Sequence, residues 1–92
     1  RLLRPVEQLF AYLPFEHSES LEDQDLAVEL IGGLASQVRP EWKSTFDGFL
    51  DYAERHRDVI RRFGRFPHRN AILGRTSTDD EVAYLAEPGA GF

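Results

Sequence analysis

The 92-residue chain has no cysteine, no methionine and a single tryptophan. Without cysteine there is no disulfide to staple the fold, and no thiolate to act as nucleophile or metal ligand. Such a composition suits a reducing compartment, and a cytoplasmic location is expected. Long hydrophobic runs are missing too. The longest apolar stretch, Leu26 to Ala35, is broken by Glu29, Gly32 and Gly33. It falls far short of the roughly 20 residues a membrane span needs, so no membrane partner is expected. Segments alternating in the manner of a half-buried strand are also lacking. A chain of this length makes one small domain, 1–92. It buries somewhat over ~60% of its unfolded surface, which leaves its stability marginal. Starting at Arg1 without a methionine, it is expected to continue a longer protein upstream.

What is present is helical spacing. Pro5 suits a first helical turn, and Val6 to Leu13 follow before Pro14, which is expected to stop the helix. The stretch Pro14 to Ser20 then reads as a polar connection. Ser20, with Asp23 three residues later, resembles a capping box. Leu26, Leu30, Ile31, Leu34 and Val38 mark one face of a second helix ending near Arg39–Pro40. Gly32 and Gly33 inside it suggest a kink or close helix packing. Trp42, Phe46, Phe49, Ala53, His56, Ile60 and Phe63 recur at alternating steps of 4 and 3, a continuous stripe on a third helix. Gly64 supplies a left-handed stop. Pro67 opens a short helix or turn through Leu73, closed by Gly74. Thr78 and Glu81 form the capping box of a last helix, roughly Asp79 to Ala86. The expected fold is all-α: antiparallel helical hairpins with four to five helices.

Charge is distributed unevenly. The net charge is -5, yet Arg55, Arg57, Arg61, Arg62, Arg65, Arg69 and Arg75 lie within twenty-one residues, with Asp58 as the single acid among them. The helix end explains part of this. Arg57, Arg61 and Arg62 occupy the last turns of the third helix, where each cation gains about 0.3–1 kcal/mol. Arg65, Arg69 and Arg75 lie beyond the helix and need other partners. Internal carboxylates such as Glu16 and Glu19 are one choice, fixing geometry more than adding stability. An anionic ligand gripped by guanidinium forks is the other. Nucleic acid ranks below both, because the rest of the surface is strongly acidic and repels phosphates.

The three histidines suggest where such a ligand would sit. His56 lies on the apolar stripe and His17 and His68 in loops. The first is read as a core histidine or as the buried edge of a pocket. Neither His-x-x-x-His nor His-Glu-x-x-His occurs, so no metal or other cofactor is expected. The candidate ligand-binding set is Glu16, His17, Glu19, His56, Arg62, Arg65, His68, Arg69, Asn70 and Arg75. The arginines would contact the anion, the histidines would hydrogen-bond, and Asn70 would orient. The expected partner is an anionic small molecule or an acidic protein segment. Two other classes compete. A hydrolase would use Glu16 or Glu19 as general base and His17 or His68 as acid/base. No nucleophile motif accompanies them, since Ser18 directly follows His17 and adjacent side chains rarely face each other. The third class is a buried ion network that locks two hairpins together.

The segments "YLPFEHSE" and "YAERHRDVIRRFGRFPHRNAILGRTSTDDE" resemble a bacterial family, the domain of unknown function family 924. The similarity covers Phe10 to about Leu85. It implies a tetratricopeptide-like helical fold. It also implies weight on Tyr12, Pro14, Glu16, His17, Ser18, Glu19, Gln24, Tyr52, Ala53 and His56. The run Arg62 to Asn70 carries weight as well, as do Leu73, Gly74, Arg75, Ser77, Thr78 and Glu81. The resemblance implies a C-terminal half of a domain about twice as long. A face left uncovered would pair with the other half or with a second copy, so a dimer or swapped assembly is expected. The resemblance brings no reaction with it.

Overall fold

A computed structural model describes residues 4–90, apart from the Val6 side chain. Its helices are α1 (Pro5–Glu16), α2 (Leu21–Gln37), α3 (Lys43–Phe63) and α4 (Asp79–Leu85), with short 3-10 turns at Pro40–Trp42 and Pro67–Arg69. There is no strand among the described residues. α1, α2 and α3 pack as consecutive antiparallel hairpins, and α4 folds back beside the Pro67–Arg69 turn. Among the described residues, no helix is long and apolar enough to cross a membrane.

Pro14 does not stop α1. The helix runs two residues further, to Glu16, with Pro14 inside it. A proline two residues from the end removes one backbone donor, and the turns below it are already set. The last carbonyls are still capped, since the His17 N–H donates to the Leu13 carbonyl and the Ser18 N–H to that of Phe15. This extra half-turn has a consequence: Glu16 belongs to the helix and is only 5% exposed.

α2 starts directly after Ser20, where the capping signal puts it. Its buried face is Gln24, Ala27, Ile31, Leu34 and Ala35, while Leu26 stays 37% exposed. A polar residue therefore opens the inward face. Ser20 caps the helix through its hydroxyl, which accepts from the Asp23 N–H at 3.5 Å. The reciprocal arm differs from the expected capping box, because the Asp23 carboxylate accepts from the Ser18 hydroxyl at 2.7 Å. The helix ends as expected before proline, with Val38 and Arg39 extended.

α3 follows its stripe where packing requires it. Phe46, Ala53, His56 and Ile60 are buried, as is Val59, whereas Trp42 at the helix entry is 52% exposed. Gly64 takes φ +73° and donates its N–H to the Ile60 carbonyl at 2.8 Å, the left-handed stop that the sequence implies.

Two apolar clusters result. Leu9, Ile31, Leu34, Ala35, Phe46 and Ala53 hold the three long helices together. Val59, Ile60, Phe66 and Tyr84 tie the end of α3 to the turn and to α4. Polar Glu16, Gln24 and His56, all buried, come from the end of α1, the first turn of α2 and the second half of α3.

Candidate functional site

The segment after α3 is held by two carboxylates. Glu19, in the α1–α2 connection, accepts both arms of the Arg75 fork at 2.8 and 3.0 Å. The same carboxylate accepts the Phe66 N–H at 2.7 Å, and Arg75 also donates to the Phe66 carbonyl at 3.2 Å. Glu81 plays the matching role for Arg65, with contacts of 2.7 and 2.8 Å. It also accepts the Thr78 N–H at 2.9 Å, while the Thr78 hydroxyl accepts the Glu81 N–H at 3.1 Å. That reciprocal pair is the capping box read from the sequence.

Asn70 joins the two pairs. Its Oδ1 accepts from Arg75 Nε at 3.0 Å. Its amide donates to the Ser77 hydroxyl at 3.0 Å and, more weakly, to Glu81 at 3.4 Å. Asn70 is 1% exposed and Glu81 2%. The bonds from Arg75 pull the Glu19 carboxyl down to about 2. Those from Arg65 and the Thr78 backbone pull Glu81 down to about 2 as well. Both groups have lowered folded-state values, so each contributes stability that is complete above the ordinary carboxylate range near 4.5 and lost as pH falls through it toward 2. Thermal melts across pH 7 to 2.5 are therefore expected to show the steepest loss of stability below about pH 4.5. A melt temperature unchanged down to pH 3 would contradict this.

In front of this clasp lies a cavity of about 240 Å³, lined by His17, Tyr52, His56, Phe66, His68 and Arg69. Phe66 belongs to both. Its backbone is gripped by Glu19 and Arg75, and its fully buried ring stands 5.7 Å from the His56 ring, edge-on, and 5.6 Å from His68. The Arg69 guanidinium lies 4.6 Å from the same ring centroid, in a cation–π contact. It makes no ion pair among the described residues, whereas Arg65 and Arg75 are both forked onto carboxylates.

The histidines are poised by the helices behind them. His56 Nδ1 lies 2.7 Å from the Tyr52 carbonyl, one turn back along α3, and 3.4 Å from Glu16 Oε1. Donation to that carbonyl places the proton of the neutral ring on Nδ1. Burial lowers the pKa of His56 against the bond to the Tyr52 carbonyl, and the nearby His17, His68 and Arg69 act in the same direction as burial. Burial and then Arg69 lower that of His68. Burial raises Glu16. The His17 ring comes within 6.2 Å of His56. The loop that carries it is latched by Gln24, whose amide donates to the carbonyls of both Glu16 and Ser18. Among the described residues, no group of three His, Cys, Asp or Glu side chains is placed to hold a metal ion.

The candidates read from sequence thus divide. His17, His56, His68 and Arg69 meet around the cavity, with Glu16 behind His56. Glu19, Arg65, Asn70 and Arg75 converge on one another in the clasp. Arg62 stands apart, over the Phe63 ring at 4.6 Å, and lines a different opening with Arg65 and Glu81. Tyr52 and Phe66 line the cavity without having been among the candidate ligand residues. Tyr52 had a local signal, standing four residues before His56 on the same helix face. A larger opening, about 700 Å³, lies at the other end of the hairpins beside Val38, Trp42 and Phe46 and is lined by no histidine.

An all-helical domain, with a polar, ring-lined recess between α3, the residue that ends α1 and the Pro67–Arg69 turn, is the class of protein these features define. The chain belongs to the family described as bacterial protein of unknown function (DUF924), which matches residues 1–89. It is similar in structure to a protein of unknown function, ATU0120, from Agrobacterium tumefaciens, with 42% sequence identity and a TM-score of 0.68. The match covers 85% of this chain and 38% of that one, so the chain spans well under half of that relative's length. Among curated proteins, none matches.

Proposed function

We propose that this chain binds an anionic group, a carboxylate or an oxyanion of a small molecule or acidic peptide segment, in the recess between Arg69 and the three histidines. The observation that carries this reading is the difference among neighbouring arginines. Arg65 and Arg75 have a carboxylate across their forks, while Arg69 sits at the cavity with an aromatic ring beneath it. A guanidinium held in place by stacking has little entropy left to lose when an anion docks. Neutral imidazoles and the Tyr52 hydroxyl supply the surrounding hydrogen-bonding groups.

The pH dependence follows from the same geometry. His56 and His68 have lowered pKa values, so both are neutral at pH 7. An anion favours their protonated forms, and binding therefore takes up protons. Calorimetric titration with sulfate, whose charge is constant over the range, is expected to give affinity that strengthens as pH falls from 7.5 through the ordinary histidine range. Affinity independent of pH, or weakening toward acid, would contradict the assignment.

A second reading rests on Glu16. A buried carboxylate 3.4 Å from His56 Nδ1 can orient an imidazole for general base work, the positioning role that hydrolases use. Ser18 is not the matching nucleophile, because its hydroxyl is engaged by Asp23. A hydrolase here would have to activate water or a substrate hydroxyl. Turnover of ester or phosphoester substrates that disappears in Glu16→Gln, in a variant that stays folded, would favour this reading over simple binding.

A further inference from the structure

Five of the six residues around the recess carry rings: His17, Tyr52, His56, Phe66 and His68. A site meant only for a small inorganic anion gains little from such walls. Phosphate and sulfate are bound by backbone N–H groups, lysines and arginine forks, and the nearest forks here are closed by Glu19 and Glu81. Rings instead offer faces and edges to another flat group, worth about 0.5–1.5 kcal/mol per well-placed pair beyond the area buried. The rings are not stacked on each other in parallel. His56 meets Phe66 at 81°, Tyr52 at 45° and His17 at 40°, so they open as facets around a space.

Resting on the anion-site reading above, we infer that the preferred ligand is a single planar ring bearing one acidic group, with the ring between the aromatic walls and the acid on Arg69. Size supports this. A recess of about 240 Å³ has room for roughly eight waters at about 30 Å³ each. It is below the ~300–1,000 Å³ typical of sites for larger ligands, so a nucleotide exceeds it while a six-membered ring with a carboxylate fits. Charge excludes the other common tenant of an aromatic cage, a quaternary ammonium, because Arg69 already lies on the Phe66 face.

The test is a calorimetric panel on the 92-residue chain at pH 7 with benzoate, acetate and benzamide. The structure predicts that benzoate binds about three- to ten-fold more tightly than acetate, one well-placed ring contact being worth about two- to twelve-fold. Benzamide, with the ring but no charge, should bind at least about ten-fold more weakly than benzoate. Tyr52→Leu replaces a half-exposed side chain and should leave the fold intact by circular dichroism. It is expected to weaken benzoate several-fold and acetate hardly at all. Acetate binding as tightly as benzoate would overturn the ring preference and leave the anion site standing. Benzamide binding as tightly as benzoate would overturn the anion site and, with it, the role of Arg69. No binding of any of the three at tens of millimolar would overturn both.

Discussion

Replacing Asn70 with alanine is expected to lower the unfolding free energy by roughly 2–3 kcal/mol, since it leaves more than one buried polar group without its partner. For a domain of this size that is a fall in melting temperature of roughly 10–20 °C. The reason is the residue's position between two ion pairs. Its Oδ1 is the acceptor for Arg75 Nε, and its amide is the donor to Ser77 and Glu81. Alanine removes all three contacts from a side chain that is 1% exposed. Asn70→Asp is a sharper probe. It keeps an acceptor for Arg75 but places a second carboxylate beside Glu81, so it should destabilise at neutral pH and recover partly as the new acid is protonated. Differential scanning calorimetry of both variants checks this. Melting within two degrees of the parent chain in both cases would mean that Asn70 is not the link between the pairs.

Arg69→Ala is expected to behave in the opposite way. It removes a stacked, half-buried guanidinium that makes no ion pair among the described residues, so stability should change by about 1 kcal/mol or less. Anion affinity should fall at least about ten-fold, the scale of a lost charge-assisted contact. Arg75→Ala should show the reverse pattern: a large loss of stability, because Glu19 would lose its fork and Phe66 part of its backbone support. If Arg69→Ala unfolds the chain, or if Arg75→Ala stays fully stable and loses affinity, the two arginines have been assigned the wrong roles.

Much of the fold is legible in local spacing. The third helix is written in a stripe from Trp42 to Phe63, its stop in Gly64, and the last helix in the Thr78–Glu81 capping box. These are interactions over three or four residues, which sequence shows directly. The second helix is harder to read because its inward face opens with Gln24. A buried glutamine that latches a loop by two carbonyls looks, in sequence, like any surface residue. Pro14 misleads for a similar reason. Its cost is local and fixed, while the packing that carries α1 past it is tertiary.

The candidate site was legible as a collection of residues, but their roles were not. The excess of arginine after α3 was visible. Which arginine pairs with which acid depends on partners far along the chain: Glu19 and Arg75 are 56 positions apart, and Arg65 and Glu81 are 16 apart. Fold closure alone decides that Arg65 and Arg75 grip carboxylates while Arg69 rests on Phe66. The separation between a clasp and a recess, joined through one phenylalanine, is thus a property of the assembled structure. His56 likewise turned out to be both of the things its sequence position allowed, a buried ring and an edge of the cavity.

The most direct test follows the three imidazoles by proton–carbon NMR while sulfate is added near pH 6.5. Binding at the recess predicts that His17, His56 and His68 all shift in one saturating transition, that His56 and His68 titrate at higher pH when sulfate is present, and that Arg69→Ala removes the response. Imidazole signals that stay fixed while backbone resonances around Arg62 or Arg65 move would place the anion elsewhere and contradict the central claim.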